Sequence, residues 1–168
     1  MPSEAPVFLV NAHHEPVVVR IAGRATLHNS APLKRFFQRM IDQGRRRYLL
    51  DFQDCTGVDS TFLGILAGTS IQLLQAKPQG TITLARMSDR VGELVRNLGL
   101  HKLPTIKVVE LDGSGSGDAK SEALPAEKLS EREGARMILQ AHENLVEIDA
   151  SNRAKFQDVI AFLKSQTE

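Results

Sequence analysis

Between Tyr48 and Leu111 the hydrophobic pattern of the chain alternates between two periods. The runs YLLDF (Tyr48 to Phe52), TITLA (Thr81 to Ala85) and TIKVVEL (Thr105 to Leu111) are short and apolar or alternating, as strands are. Two stretches with helical spacing separate them. The first runs from about Thr61 to Lys77, with Leu63, Leu66, Ala67, Leu73 and Leu74 as its buried candidates, and Pro78 and Gly80 end it. The second can be capped by Ser88 or Asp89, places Val91, Leu94, Val95 and Leu98 at i, i+3, i+4 and i+7, and stops at Gly99. Strands and helices in this alternation make an α/β domain.

Upstream, VFLV (Val7 to Val10) and PVVVRIAG (Pro16 to Gly23) are rich in β-branched residues around a polar NAHHE stretch and read as a strand pair. Asn29 or Ser30 can then cap a helix that has Pro32 in its first turn and Leu33, Phe36, Phe37, Met40 and Ile41 along one face, ending at Gly44. Arg45, Arg46 and Arg47 read as a solvated turn, and DCTGVDST as a loop.

Downstream, the α/β domain (residues 1–111) gives way to DGSGSGD, whose side chains cannot support packing, so residues 112–127 read as a flexible linker. Residues 128–168 follow as an α-helical hairpin. Ser130 and Glu133 form an SxxE capping box, and Ile138, Ala141, Leu145 and Ile148 can line one face. Ser151 or Asn152 can cap the second helix, with Phe156, Val159, Ile160 and Leu163 at helical spacing. Two such helices bury too little alone, so they should dock on the core, pair with another copy as a homo-oligomer, or cover a partner. The charge supports docking. Lys and Arg exceed Asp and Glu by 14 to 9 through Leu111, a balance of +5, whereas 7 against 11 gives −4 from Asp112 onward.

Several function classes find no support. The formal net charge of +1 offers no general attraction for nucleic acid. No apolar stretch approaches the roughly 18 to 20 residues that span a bilayer, and no signal segment opens the chain, so a cytoplasmic protein without membrane insertion is expected. The single cysteine, Cys55, forms no CxxC pair. His13 and His14 are adjacent and would point apart in an extended segment, so no metal site is expected, and GSGSGD lacks the Lys-Ser or Lys-Thr of a phosphate loop. No cofactor is implied. Ser60 lacks a histidine near it in sequence and the glycines of a nucleophile elbow. Asp51 or Asp54 could accept a phosphoryl group at a strand end, but VFLVNAHH lacks the acid pair that a receiver domain carries after its first strand. No enzyme activity is expected.

The stretch VDSTFLG stands out against this background. Asp59 or Ser60 can cap the following helix, yet Phe62 and Leu63 occupy positions where a reciprocal capping box would place Glu or Gln. Phe62 is thus either core or an exposed apolar contact beside Ser60. With YLLDF and DCTGV before it and Leu63-Gly64 opening the helix, this constellation resembles the STAS domains of bacterial anti-sigma-factor antagonists and of sulfate transporters. RVGELVRNLGLHKL is similar to the third helix of that family and its Leu-Gly-Leu exit.

The resemblance covers about two thirds of the chain and implies a STAS-type mixed β-sheet with helices. In the antagonists, the serine after the aspartate is phosphorylated by an anti-sigma factor that is itself a serine/threonine kinase, and the unphosphorylated antagonist binds that kinase. By position the resemblance implies Ser60 as phosphoacceptor, Thr61 as second choice, and a partner-binding surface of Asp54, Asp59, Ser60, Thr61 and Phe62. It equally implies an alternative, a non-switching scaffold or accessory subunit of a transporter. Two features depart from the antagonists: GRATLHNS has no acid shortly after its glycine, and Phe62 is bulkier than the usual residue there.

Overall fold

The computed structural model describes residues 7–110 and 121–167. It has the α/β architecture expected, a mixed sheet with helices and a C-terminal helical hairpin. The chain opens with β1 (Phe8–Asn11), β2 (Val17–Ile21) and β3 (Gly23–Ala25), then α1 (Ala31–Asp42) and β4 (Arg47–Asp51). It continues with β5 (Cys55–Val58), α2 (Ser60–Gln75), β6 (Thr81–Ala85), α3 (Asp89–Asn97), a 3-10 turn (Leu100–Lys102) and β7 (Ile106–Val109). The described C-terminal part holds β8 (Glu122–Ala123), α4 (Glu131–Ile148) and α5 (Asn152–Thr167).

The main sheet has the order β7-β6-β4-β2-β1-β8. Its centre is parallel: Val19 of β2 pairs with Leu50 of β4, and Leu50 with Leu84 of β6. Only β1 and β8 run antiparallel to their neighbours. Val17, Val18 and Val19 are all buried, as expected for a central strand covered on both faces. The core joins these strands to Leu33, Phe36 and Phe37 of α1 and to Leu63, Leu66 and Leu73 of α2.

Three local readings change in the folded chain. DCTGV is not simply a loop, because Cys55–Val58 pairs in parallel with β3 as a separate two-stranded sheet. The arginine run is not merely solvated. Arg45 donates to the carbonyls of Ala12 and His14, and Arg47 meets Glu15 at 3.0 Å, so the run ties the β1–β2 turn to the start of β4. Tyr48 lies beneath, donating to the Arg45 carbonyl at 2.9 Å, and burial pushes its phenol up to about 12. In the predicted linker, DGSGSGD falls outside the described residues, but β8 extends the sheet edge and Leu124 N–H donates to Phe8 O at 3.0 Å.

The C-terminal helices dock on their own core, against α2. Ser130 and Glu133 form the reciprocal capping box, whose hydrogen bonds hold the Glu133 carboxyl below its usual range. Met137, Ala141, His142 and Leu145 form the buried stripe of α4, while Ile138 and Ile148 are only half-buried. On α5 the expected apolar face is only partly used. Leu163 is buried, but Val159 is 42% exposed, because the helix is rotated so that Val159 and Phe162 face outward.

Charge does not dominate the docking. Its ion pairs with the core, Arg35–Glu127 at 2.6 Å and Lys102–Asp149 at 3.8 Å, each have a well-exposed cation. Close packing and hydrogen bonds to backbone carbonyls carry the contact instead.

Candidate functional site

The site forms where β5 ends and α2 begins. Asp59 adopts an extended conformation and caps α2, its Oδ1 accepting from Phe62 N–H at 2.9 Å. Its Oδ2 accepts from Leu27 N–H at 2.8 Å, and its own N–H donates to Ala25 O. One carboxylate therefore fixes the α2 N-terminus against the loop leading from β3 to α1. Both oxygens are engaged in backbone, so Asp59 sets the turn from which Ser60 projects and does not itself hold the hydroxyl.

Ser60 is the first residue of α2 and is half-buried. Thr61 is buried at 2% exposure and is not a surface group. Phe62 must be corrected more firmly. It is fully buried, stacked on Phe8 at 6.2 Å and edge-on to Phe52 at 6.3 Å between ring centroids, so it joins sheet to helix and offers no contact to a partner in this conformation. Asp54 is exposed in the preceding turn and pairs with Arg20 at 3.2 Å. Asp51 is instead buried, paired with Arg86 at 3.6 Å and accepting from Gln53 N–H, which fits a structural carboxylate.

The partner of Ser60 comes from far along the chain. Ser60 Oγ lies 2.9 Å from Nε2 of His142 on α4. Nδ1 of the same ring lies 2.7 Å from the Ile138 carbonyl, which can only accept. Nδ1 therefore carries the proton in the neutral ring, leaving Nε2 to accept from the serine hydroxyl. Phe156 of α5 packs on the imidazole edge at 4.8 Å between centroids, and the ring is almost fully buried. In the docked arrangement the hydroxyl is thus engaged by α4.

Close approach of α4 makes this contact. Gly64, one turn after Ser60, has no room for a side chain: a Cβ there would lie 2.7 Å from Ala141 Cβ and closer still to Ala141 O. Asn144 Nδ2 donates to Gly64 O at 3.2 Å. At the other end Asn152, fully buried, donates to Leu98 O and Leu145 O at 2.9 and 2.8 Å, and Lys155 Nζ donates to Asn97 O at 2.7 Å. A recess beside Ser60, lined by Asp59, Leu94, Asn97, Lys155 and Phe156, remains on this side.

His142, Asn144 and Lys155 escaped the sequence reading, and Asn152 appeared there only as a helix cap, because 54 or more residues separate each from its partner on the core. One signal was present. His142 directly follows Ala141 in the apolar stripe of α4, where a histidine needs a hydrogen-bond partner. Among the described residues no cluster of histidine, cysteine or acidic groups suits a metal ion, and no helix is long and apolar enough to cross a membrane.

Comparison with known proteins gives three results. No curated protein matches the chain. Solved structures share its fold at low identity. The Bacillus cell-fate determinant SpoIIAA in its phosphorylated form aligns with a TM-score of 0.51 and 20% identity, over 62% of this chain and 91% of that one. A Thermotoga maritima protein assigned as an anti-sigma-factor antagonist aligns with a TM-score of 0.51 and 17% identity, over 62% and 86%. The family model described as Mlab, STAS domain matches residues 8–111, the span of β1 to β7 and the first three helices. That match takes in more than half of the chain, and the protein therefore belongs to the STAS domain family.

Proposed function

We propose that this protein is a cytoplasmic signalling module of the anti-sigma-factor antagonist type, which binds a serine/threonine kinase anti-sigma factor and is switched by phosphorylation of Ser60. The observation that carries the reading is the placement of Ser60. It is the first residue of α2, its turn is braced by Asp59, and it is half-buried with its hydroxyl on His142, whereas Thr61 behind it is buried. The likeness of the fold to a cell-fate determinant described in a phosphorylated form supports the same direction.

In the transfer, the γ-phosphorus of a nucleoside triphosphate bonds to Ser60 Oγ as the terminal phosphoanhydride bond breaks. The nucleoside diphosphate leaves, and the hydroxyl proton passes to a base of the kinase. Catalysis resides in the partner, and this chain supplies the acceptor. A phosphate brings roughly 1.5 to 2 negative charges, which the N-terminus of α2 tolerates through its free amides and dipole. The partner surface meets that charge at the start of α2. A mismatch of about 3 to 4 kcal/mol lowers affinity several hundredfold, enough to release the kinase and thereby alter transcription.

The test is affinity capture from the native host with wild-type, Ser60→Ala and Ser60→Asp baits. A kinase-like anti-sigma factor held by the first two and lost from the third is the expected result. Identical partners on all three would instead indicate a non-switching binding module.

A further inference from the structure

We infer that the α4–α5 hairpin is a displaceable cover over the Ser60 surface, competing in cis with the partner that must reach that serine; the inference rests on Ser60 being the modified residue. Ser60, Gly64 and Gly68 recur at i, i+4 and i+8, so α2 presents a face of small residues. That face is occupied. Ala141 sits against Gly64, Asn144 lies beside Gly68 and donates to Gly64 O, and His142 takes up the Ser60 hydroxyl. A kinase that grips Ser60 with its flanking helix needs the same surface.

With Nε2 of His142 as an acceptor, a phosphate on Ser60 opposes the docked hairpin. Esterification removes the only proton that Ser60 Oγ can donate and places a phosphorus with three further oxygens on that atom. Nε2 of His142 already lies 2.9 Å away, and the ring cannot retreat, since Ile138 O and Phe156 hold it from behind. The hairpin must then move. By linkage the reverse also holds at equilibrium: docking disfavours the phosphorylated form by the same factor by which phosphate weakens docking.

The contact is built to be exchangeable. Much of it consists of hydrogen bonds from Asn144, Asn152 and Lys155 to backbone carbonyls, which water or a partner can replace. Val159 and Phe162 of α5 stay exposed and add nothing to the hold. The closest steric contact, Ala141 on Gly64, involves no large side chain, so the apolar cost of opening falls mainly on Met137 and Leu145.

Two measurements on the full chain test the cover without any kinase. In hydrogen exchange followed by mass spectrometry, Ser60→Glu should raise exchange across residues 131–148 by about tenfold or more relative to Ser60→Ala, with β4 and β6 unchanged. Equal or slower exchange in the Glu variant overturns the inference. In the second, Ser60→Cys is placed in a Cys55→Ser background and titrated with Ellman's reagent. The thiol should react at least about tenfold more slowly than the urea-unfolded chain, and its rate should rise at urea concentrations well below the main unfolding transition. Reaction at the unfolded rate in buffer, or a rate that rises only with global unfolding, shows respectively that nothing covers the site or that the hairpin never opens alone. Partner exchange at Ser60 with unchanged α4 protection sinks the cover and spares the switch. Release of α4 by Ser60→Glu without any exchanging partner does the opposite.

Discussion

Gly64→Ala isolates the hairpin contact with a single methyl group. That methyl would meet Ala141 Cβ at 2.7 Å, whereas carbon atoms in contact sit about 3.5 to 4.0 Å apart, so α4 must withdraw by roughly 1 Å. Leu145 and Met137, the large apolar side chains buried along α4, contribute about 1.5 to 3 kcal/mol each when fully buried. A gap of that size forfeits about a quarter to a half of their contact energy, or about 1 to 3 kcal/mol together. The Ser60–His142 and Asn144–Gly64 hydrogen bonds, worth about 1 kcal/mol each, stretch beyond their useful range. Docking should weaken by about 3 to 5 kcal/mol, equivalent to at least about a hundredfold faster amide exchange in residues 131–148. The core should not lose stability, because alanine favours the α2 helix by about 1 kcal/mol over glycine. Gly68→Ala is the control: its methyl meets only the movable side-chain amide of Asn144, so its effect should be smaller. Unchanged α4 exchange in Gly64→Ala, or equal effects from the two variants, would refute the geometry.

Phe62→Ala should cost about 3 to 5 kcal/mol of global stability, read as a fall in the urea midpoint for sheet and helices together, because the ring is wholly inside the core between Phe8 and Phe52. A selective loss of partner with a normal midpoint would return Phe62 to the recognition surface. Tyr48 is the only tyrosine and there is no tryptophan, so tyrosinate absorbance reports one group. Burial pushes it up to about 12, above the ordinary 10.0 of a tyrosine, so its contribution to stability is fully present below 10 and is lost as the pH rises from 10 to about 12. The urea midpoint should fall across that window, and Tyr48→Phe should flatten this contribution to the fall. Finally, α4 exchange should change by less than about twofold between 0.05 and 0.5 M sodium chloride, since the Arg35–Glu127 and Lys102–Asp149 pairs are solvent-screened; a large rise would restore charge as the force that docks the hairpin.

What the sequence disclosed follows from the range of the interactions involved. Helix α3 is capped by Ser88 within three residues of Val91, α4 carries its own capping box, and β6 coincides with TITLA, all features that neighbouring residues decide. The serine with its preceding acid was legible for the same reason, although local pattern left open whether Asp59 or Ser60 capped α2. The geometry gives Asp59 that place and leaves the Ser60 hydroxyl available to His142.

The failures are long-range. β5 exists because Gly57 and Val58 find Arg24 and Ala25 across a parallel pairing that no local signal announces. Phe62 could be assigned to the core only once Phe8 and Phe52 were seen on either side of it. Net charge pointed to docking but not to its contacts, the fit of Ala141 to Gly64 and amides reaching carbonyls, neither of which appears in a count of charges.

The most direct test of the central claim is site mapping of phosphate on the full-length protein isolated from its native host, by tandem mass spectrometry of the peptide that spans Asp59 to Phe62. The account predicts a phosphorylated fraction on Ser60 that disappears in Ser60→Ala without moving to Thr61. Phosphate on Thr61 or elsewhere, or a Ser60 that stays unmodified while the kinase partner is active, would contradict it.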